Sequence, residues 1–198
     1  MLEHQQPFDS LLQGDGTGLA SAPGIRMAWL SGWELLLLQS RSEAALQDAL
    51  MSQMGLRLPT PRMTSSRDDC ALLWLTPTEW LLASRTGEIE ALRAALAPLL
   101  ASCLAVATDM SDALAVCEVS GARCTEVLMS GCTLDLRADA FGPGRSARTG
   151  PADIPAVLWN PGEESQRIRC IVDRSHAAHL HEWLTDAAGL PRPLPALQ

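Results

Sequence analysis

The chain is predicted to be an α+β protein: two packed two-layer sandwich lobes, each a ferredoxin-like β-α-β-β-α unit with mixed sheets. Two observations predict this class. Strand-length apolar runs alternate with helix-length segments in the order strand, helix, strand, strand, helix, strand, and a second strand–helix–strands–helix series follows. The length, 198 residues, suits one large domain or two small packed ones.

The elements justify the class in order. Residues 1–24 are polar and glycine-rich and are expected to form a flexible arm; their GDGTG stretch lacks the preceding strand and the spacing of a dinucleotide loop. From Ile25, IRMAWL and WELLLLQ read as strands joined at Ser31-Gly32, or as one bent strand. Ser40 and Glu43 have capping-box spacing before EAALQDALMSQM, which Gly55 closes. CALLWLT and EWLLAS flank a turn at Pro77, Thr86 opens the helix EIEALRAALAPLLASC, and Pro98 is expected to kink or end it. LAVATDM completes a first lobe over 25–109. In the second lobe, 110–190, the strand ALAVCEV leads to Ser120, a candidate cap for GARCTEVLMS. A 3₁₀-like LRADAF, the strands AVLWN and RIRCIVD, and a last helix capped by Ser175 follow. Proline keeps the tail, 191–198, extended.

Composition narrows function by exclusion. All 15 basic residues are arginine, which rules out lysine Schiff bases and a P-loop lysine, and there is no tyrosine to serve as a phenolic acid. A net charge of −8 without a basic stripe argues against nucleic-acid partners. No apolar run nears the ~20 residues of a membrane span, and no basic-then-apolar leader opens the sequence; a cytoplasmic protein is expected. The six cysteines form no C-x-x-C pair, so free buried thiols are expected rather than bridges or a metal site.

Few residues offer chemistry. Cys132, after Gly131 at the expected end of a helix, lies at the negative pole of the helix dipole, which opposes thiolate formation; a packed turn touching Val127 is the favoured reading. His176 and His179 share a helix face, whereas His181 points elsewhere, and a surface or subunit-contact role is favoured over a metal role. Asp109, Ser111 and Asp112 leave a strand end, where carboxylates could hold a pterin or where Asp and Ser could simply cap a turn. Six tryptophans supply nearly all the aromatic area beside two phenylalanines, which suggests a partner surface. Trp74, Trp80 and Trp183 are the candidate contacts. No catalytic, cofactor-binding or metal residue is assigned.

In order and spacing, three blocks carry a resemblance: Trp74-Leu-x-Pro-x-Glu-Trp-Leu-Leu82; Gly131-Cys-x-Leu-Asp-Leu136 with Phe141-x-x-Gly144; and Arg174-Ser-x-Ala-x-x-Leu-x-x-Trp-Leu184. Over roughly residues 20–188 the chain resembles the gamma subunit of heterotetrameric sarcosine oxidase, within the folate-binding aminomethyltransferase-like fold group. The resemblance implies a non-catalytic accessory subunit that packs on the large alpha subunit and, through it, meets the beta and delta subunits. FAD, FMN, NAD, zinc and tetrahydrofolate are then implied for the partners and none for this chain. The alternative is a freestanding folate-binding or aminomethyltransferase-like protein, with Asp109 or Asp112 on the pterin and an arginine on the glutamate tail. Glycine-cleavage aminomethyltransferases fit less well, carrying a histidine where this chain has Asp112. Of the K-G-C-Y-x-G-Q-E motif of iron–sulfur repair proteins only Gly131 and Cys132 remain. His176 and His179 replace aromatic residues of the family pattern, which implies a more polar, pH-sensitive contact.

Overall fold

A computed structural model describes residues 20–87, 89–102, 105–162 and 166–190. Residues 1–19 of the expected arm, including GDGTG, and the 191–198 tail lie outside these. The strands are β1 (Ala20–Ala22), β2 (Ile25–Leu30), β3 (Glu34–Ser40), β4 (Thr64–Arg67), β5 (Cys70–Thr76), β6 (Glu79–Ser84), β7 (Ala105–Asp109), β8 (Leu114–Ser120), β9 (Ser146–Thr149), β10 (Ala156–Trp159) and β11 (Arg167–Asp173). The helices are α1 (Glu43–Met54), α2 (Ile89–Ser102), α3 (Cys124–Met129) and α4 (Ala177–Ala188). None of the described helices is long and apolar enough to cross a membrane.

Two sheets form, in the orders β1-β2-β8-β11-β10-β9 and β4-β5-β6-β3-β7. They stack face to face, and each carries two helices on its outer face, so the α+β sandwich has four layers. The middle boundary explains the unbroken apolar runs of the strands. Along β3, Leu36 and Leu38 face α1 and α2, whereas Leu35 and Leu37 face the other sheet. A strand covered on both faces has no polar side to alternate with. The same split places Val116 and Ile171 at the middle boundary, while Cys117, Val119, Cys170 and Val172 pack under α3 and α4.

The expected mixed sheets are corrected. Every strand pairing among the described residues is antiparallel, because each return within a lobe is a hairpin or passes over a helix to a strand of opposite direction. IRMAWL and WELLLLQ are two strands, and they belong to different sheets. Consequently β2, from the 25–109 segment, pairs with β8 of the 110–190 segment, from Arg26↔Ser120 to Leu30↔Val116. The strands β1, β4 and β9 lie where the sequence signalled loops: all three are short edge strands, two of them rich in serine, threonine and arginine.

Several helix ends also depart from expectation. The Ser40 hydroxyl accepts the Ser42 N–H at 3.0 Å, closing a turn ahead of α1 in place of a capping box with Glu43. Pro98 lies inside α2 without ending it. Its ring and Ala94, whose carbonyl loses its helical donor, are both on the solvent side, so water can take that bond. Ser120 ends β8 and makes no cap, since α3 starts at Cys124. Asp173, rather than Ser175, caps the last helical segment, accepting the Ser175 N–H at 2.9 Å. Gly55 does end α1 in the left-handed conformation.

Candidate functional site

The polar turn after β7 is closed on itself. Asp109 Oδ1 accepts from the Ser111 N–H at 2.9 Å and from its hydroxyl at 2.6 Å, and Ser111 Oγ in turn accepts the Leu35 N–H at 3.0 Å. Asp109 and Asp112 are exposed. The Asp-x-Ser pattern recurs at Asp173-Arg174-Ser175 with the same two bonds, at 2.9 and 2.7 Å. Here hydrogen bonding from Ser175 lowers the pKa of Asp173 below its ordinary value. In both motifs the aspartate Oδ1 is engaged by the serine two residues on, which is what Asx turns do.

Cys132 is buried in the core beneath α3 and α4, with Sγ 3.4 Å from Thr149 Oγ1. Gly131 is not in the left-handed region; its missing side chain has another cause. A Cβ there would stand 2.5 Å from the Trp183 ring, so the glycine exists to let that indole lie on the backbone. Cys117, Cys124 and Cys170 share the same core, and burial pushes the Cys124 thiol up to about 12. Thiols held protonated in this way are packing groups. Among the described residues no three His, Cys, Asp or Glu side chains converge as metal ligands.

The tryptophans separate. Trp80 is 1% exposed and sits among Leu36, Leu46 and Leu82 under α1 and α2, so as a contact candidate it is corrected to a core residue. Trp74, directly opposite it in the β5–β6 ladder, and Trp183 are half-buried against their cores. On α4, His179 is exposed with Nε2 3.2 Å from the Ala152 carbonyl, and His176, just before the helix, is half-buried. The histidine that the wheel set apart reaches toward the core: His181 Nδ1 accepts the N–H of the buried Trp29 indole at 3.2 Å.

The densest polar cluster was not foreseen from the sequence. Trp159, Arg169 and Glu118 are directly opposite one another across β10, β11 and β8, on the face turned to the other sheet. Arg169 donates from Nε to Glu118 at 3.1 Å, and Glu118 also lies 3.5 Å from Arg167 Nε. Trp33, from the link between the sheets, completes a three-membered cluster: the Arg169 guanidinium lies 5.0 Å from the Trp33 ring centroid and 4.8 Å from that of Trp159, and the rings meet edge to face at 5.7 Å. Arg85 also lies over the Trp33 ring, 5.8 Å from its centroid. A cleft of about 250 Å³ opens here, with Asp68, Asp69 and Pro161 on its walls. The signal in the sequence was the phase of RIRCIVD: Arg169 is in step with Ile171, which faces the middle boundary. The arrangement suits a stabilised charge at a sheet junction, without a nucleophile paired to a base.

The fold is also found in an aminomethyltransferase T of the glycine cleavage system from Bartonella henselae, with a TM-score of 0.62 at 14% identity over 92% of this chain and 59% of that one. That likeness defines the fold class. A chain of the heterotetrameric sarcosine oxidase from Corynebacterium sp. U-96 is far nearer, with a TM-score of 0.81 at 27% identity, covering 93% of this chain and 94% of that one. In sequence, the sarcosine oxidase gamma subunits of Corynebacterium sp. strain U-96 and of an Arthrobacter species are 34% and 32% identical, each over 70% of this chain and 67% and 68% of theirs. The model of the sarcosine oxidase gamma subunit family matches residues 39–189, and the chain belongs to that family.

Proposed function

We propose that this chain is the non-catalytic gamma subunit of a heterotetrameric sarcosine oxidase, which oxidatively demethylates sarcosine to glycine and passes the one-carbon unit to tetrahydrofolate. The chain packs on the large alpha subunit and supports it, and through it meets the beta and delta subunits. FAD, FMN, NAD, zinc and tetrahydrofolate are held by those partners. One observation carries the reading: the likeness to a chain of a heterotetrameric sarcosine oxidase runs over nearly the full length of both chains. The local chemistry is consistent with it. Asp109, one of the two carboxylates of the folate alternative, is bonded to Ser111, whose Oγ also accepts the Leu35 N–H.

Capture of the tagged chain from its native extract tests this. The expected eluate contains larger chains with flavin absorbance and sarcosine-dependent peroxide production. A colourless chain recovered alone, still able to bind tetrahydrofolate, would overturn the reading in favour of a freestanding folate protein.

A further inference from the structure

The two sheets repeat one strand order, and they differ at one edge. In the five-stranded sheet the β-α-β-β-α-β series β3, α1, β5, β6, α2, β7 is laid out with its fourth strand beside its first, then the third and second: β7-β3-β6-β5, with β4 outside β5. The six-stranded sheet repeats this as β2-β8-β11-β10, with β9 outside β10. Here β2, from before β3, fills the fourth-strand place that a strand after α4 would take. The difference lies beyond the fourth strand. The edge of β2 is covered by β1, antiparallel from Ala20↔Met27 to Ala22↔Ile25, whereas among the described residues no strand covers β7.

The bonding phase of β7 identifies which backbone groups face outward. Met110 donates its N–H to the Leu35 carbonyl at 2.7 Å, which makes 35 and 110 a hydrogen-bonded pair. Alternate pairs of an antiparallel ladder are bonded. In the register Leu37↔Thr108 and Gln39↔Val106, the bonds to β3 therefore come from Thr108 and Val106. Ser40 agrees with this phase, because its N–H is directed to Thr78 on the β6 side at 3.0 Å. Ala105, Ala107 and Asp109 then direct their N–H and C=O groups away from the sheet. The edge is lightly protected: the five-residue strand AVATD carries one charge, Asp109 at its end, and no lysine, proline or bulge, and Val106 is 56% exposed.

We infer that the β7 edge receives an extended strand from one of the larger subunits of the oxidase, paired antiparallel to residues 105–109 as β1 is paired to β2. This rests on the subunit reading above. The second sheet supplies the form of the cover, and assembly into a heterotetramer supplies its source. Recognition is by main-chain bonds from Ala105, Ala107 and Asp109, with an apolar side chain of the partner strand beside Val106.

The test uses this chain co-expressed with the other subunits, as wild type and as Ala107→Pro. Proline at 107 removes an outward N–H and leaves the β3 ladder intact, a change that edge strands accept. Hydrogen exchange of the 105, 107 and 109 amides is read in the free wild-type chain and in the assembled enzyme, so a result remains if the proline variant does not fold. The expected results are assembly by the wild type, loss of co-purification by a folded Ala107→Pro, and amides that exchange rapidly in the free chain and slowly in the complex. Assembly of the proline variant at the wild-type level, or equal exchange in both states, overturns the inference and leaves the subunit reading standing. Amides already slow in the free chain, or a dimer of the free chain that Ala107→Pro dissolves, assigns the edge to this chain itself and also overturns it. Wild type that captures no other subunit overturns both.

Discussion

His181 is held neutral by its surroundings. Burial lowers its pKa below the ordinary histidine value of 6.5, against a smaller opposing pull from Glu182, and a proton on Nδ1 would cost the bond from Trp29. For a histidine whose folded pKa is depressed, the stabilising contribution is complete above 6.5 and is lost as pH falls through the lower folded value. Melting temperature should therefore drop between pH 7 and pH 5 more in the wild type than in His181→Gln, whose amide oxygen can still accept from Trp29 without titrating. Parallel pH profiles would show that this imidazole does not govern the acid limb. The same pair shows what a helical wheel leaves out. A wheel gives the face of a side chain but not what the neighbouring strand brings to it, and β2 arrives from 152 residues away in sequence.

At the scale of the element, α2 is fixed at its start by a group no local rule names. Glu34, at the first position of β3, accepts the Ile89 N–H at 3.2 Å through Oε1. It ties the helix to the strand beneath it and places a carboxylate at the positive pole of the helix. Glu34→Ala should lower stability by about 1 kcal/mol, read as the shift of the urea midpoint at constant slope. An unchanged midpoint would mean that the tether contributes nothing. Gly55 was legible because a left-handed terminus is a property of the glycine itself. The serine caps at 40, 120 and 175 were not, because each hydroxyl or its neighbouring carboxylate could bond to more than one nearby N–H, and the path of the chain selected among them.

Across the whole molecule, Arg169 clamps the boundary between the sheets. It is mostly buried, bonded to Glu118 and in contact with rings from two different segments. Arg169→Met would keep much of the volume but leave Glu118 facing Arg167 alone. Stability should fall by roughly 3 kcal/mol, the cost of breaking a buried ion pair from one side. Replacing Glu118 as well, by Glu118→Gln/Arg169→Met, should recover part of that loss, since the carboxylate that lost Arg169 is then neutral; recovery stays partial because Arg167 loses Glu118 too. A single variant as stable as the wild type would show the clamp to be dispensable.

What the sequence by itself determined is the set of long elements, the α+β class and the family blocks, because apolar period, glycine termini and ordered motifs are written in neighbouring residues. The Asp109–Ser111 turn could also be read, since the bonds between these two residues reach only two positions along the chain; that Ser111 Oγ would accept the Leu35 N–H could not. The tertiary structure alone decided that both sheets are antiparallel, that β2 crosses into the sheet of the other half, and that Trp80 is core. It also decided that Arg169, read as one more charge in a strand, would meet Trp33 and Trp159. These outcomes depend on which strands pair and which faces close on each other, and that choice is made by burying both faces of each sheet at once, a condition no single segment carries.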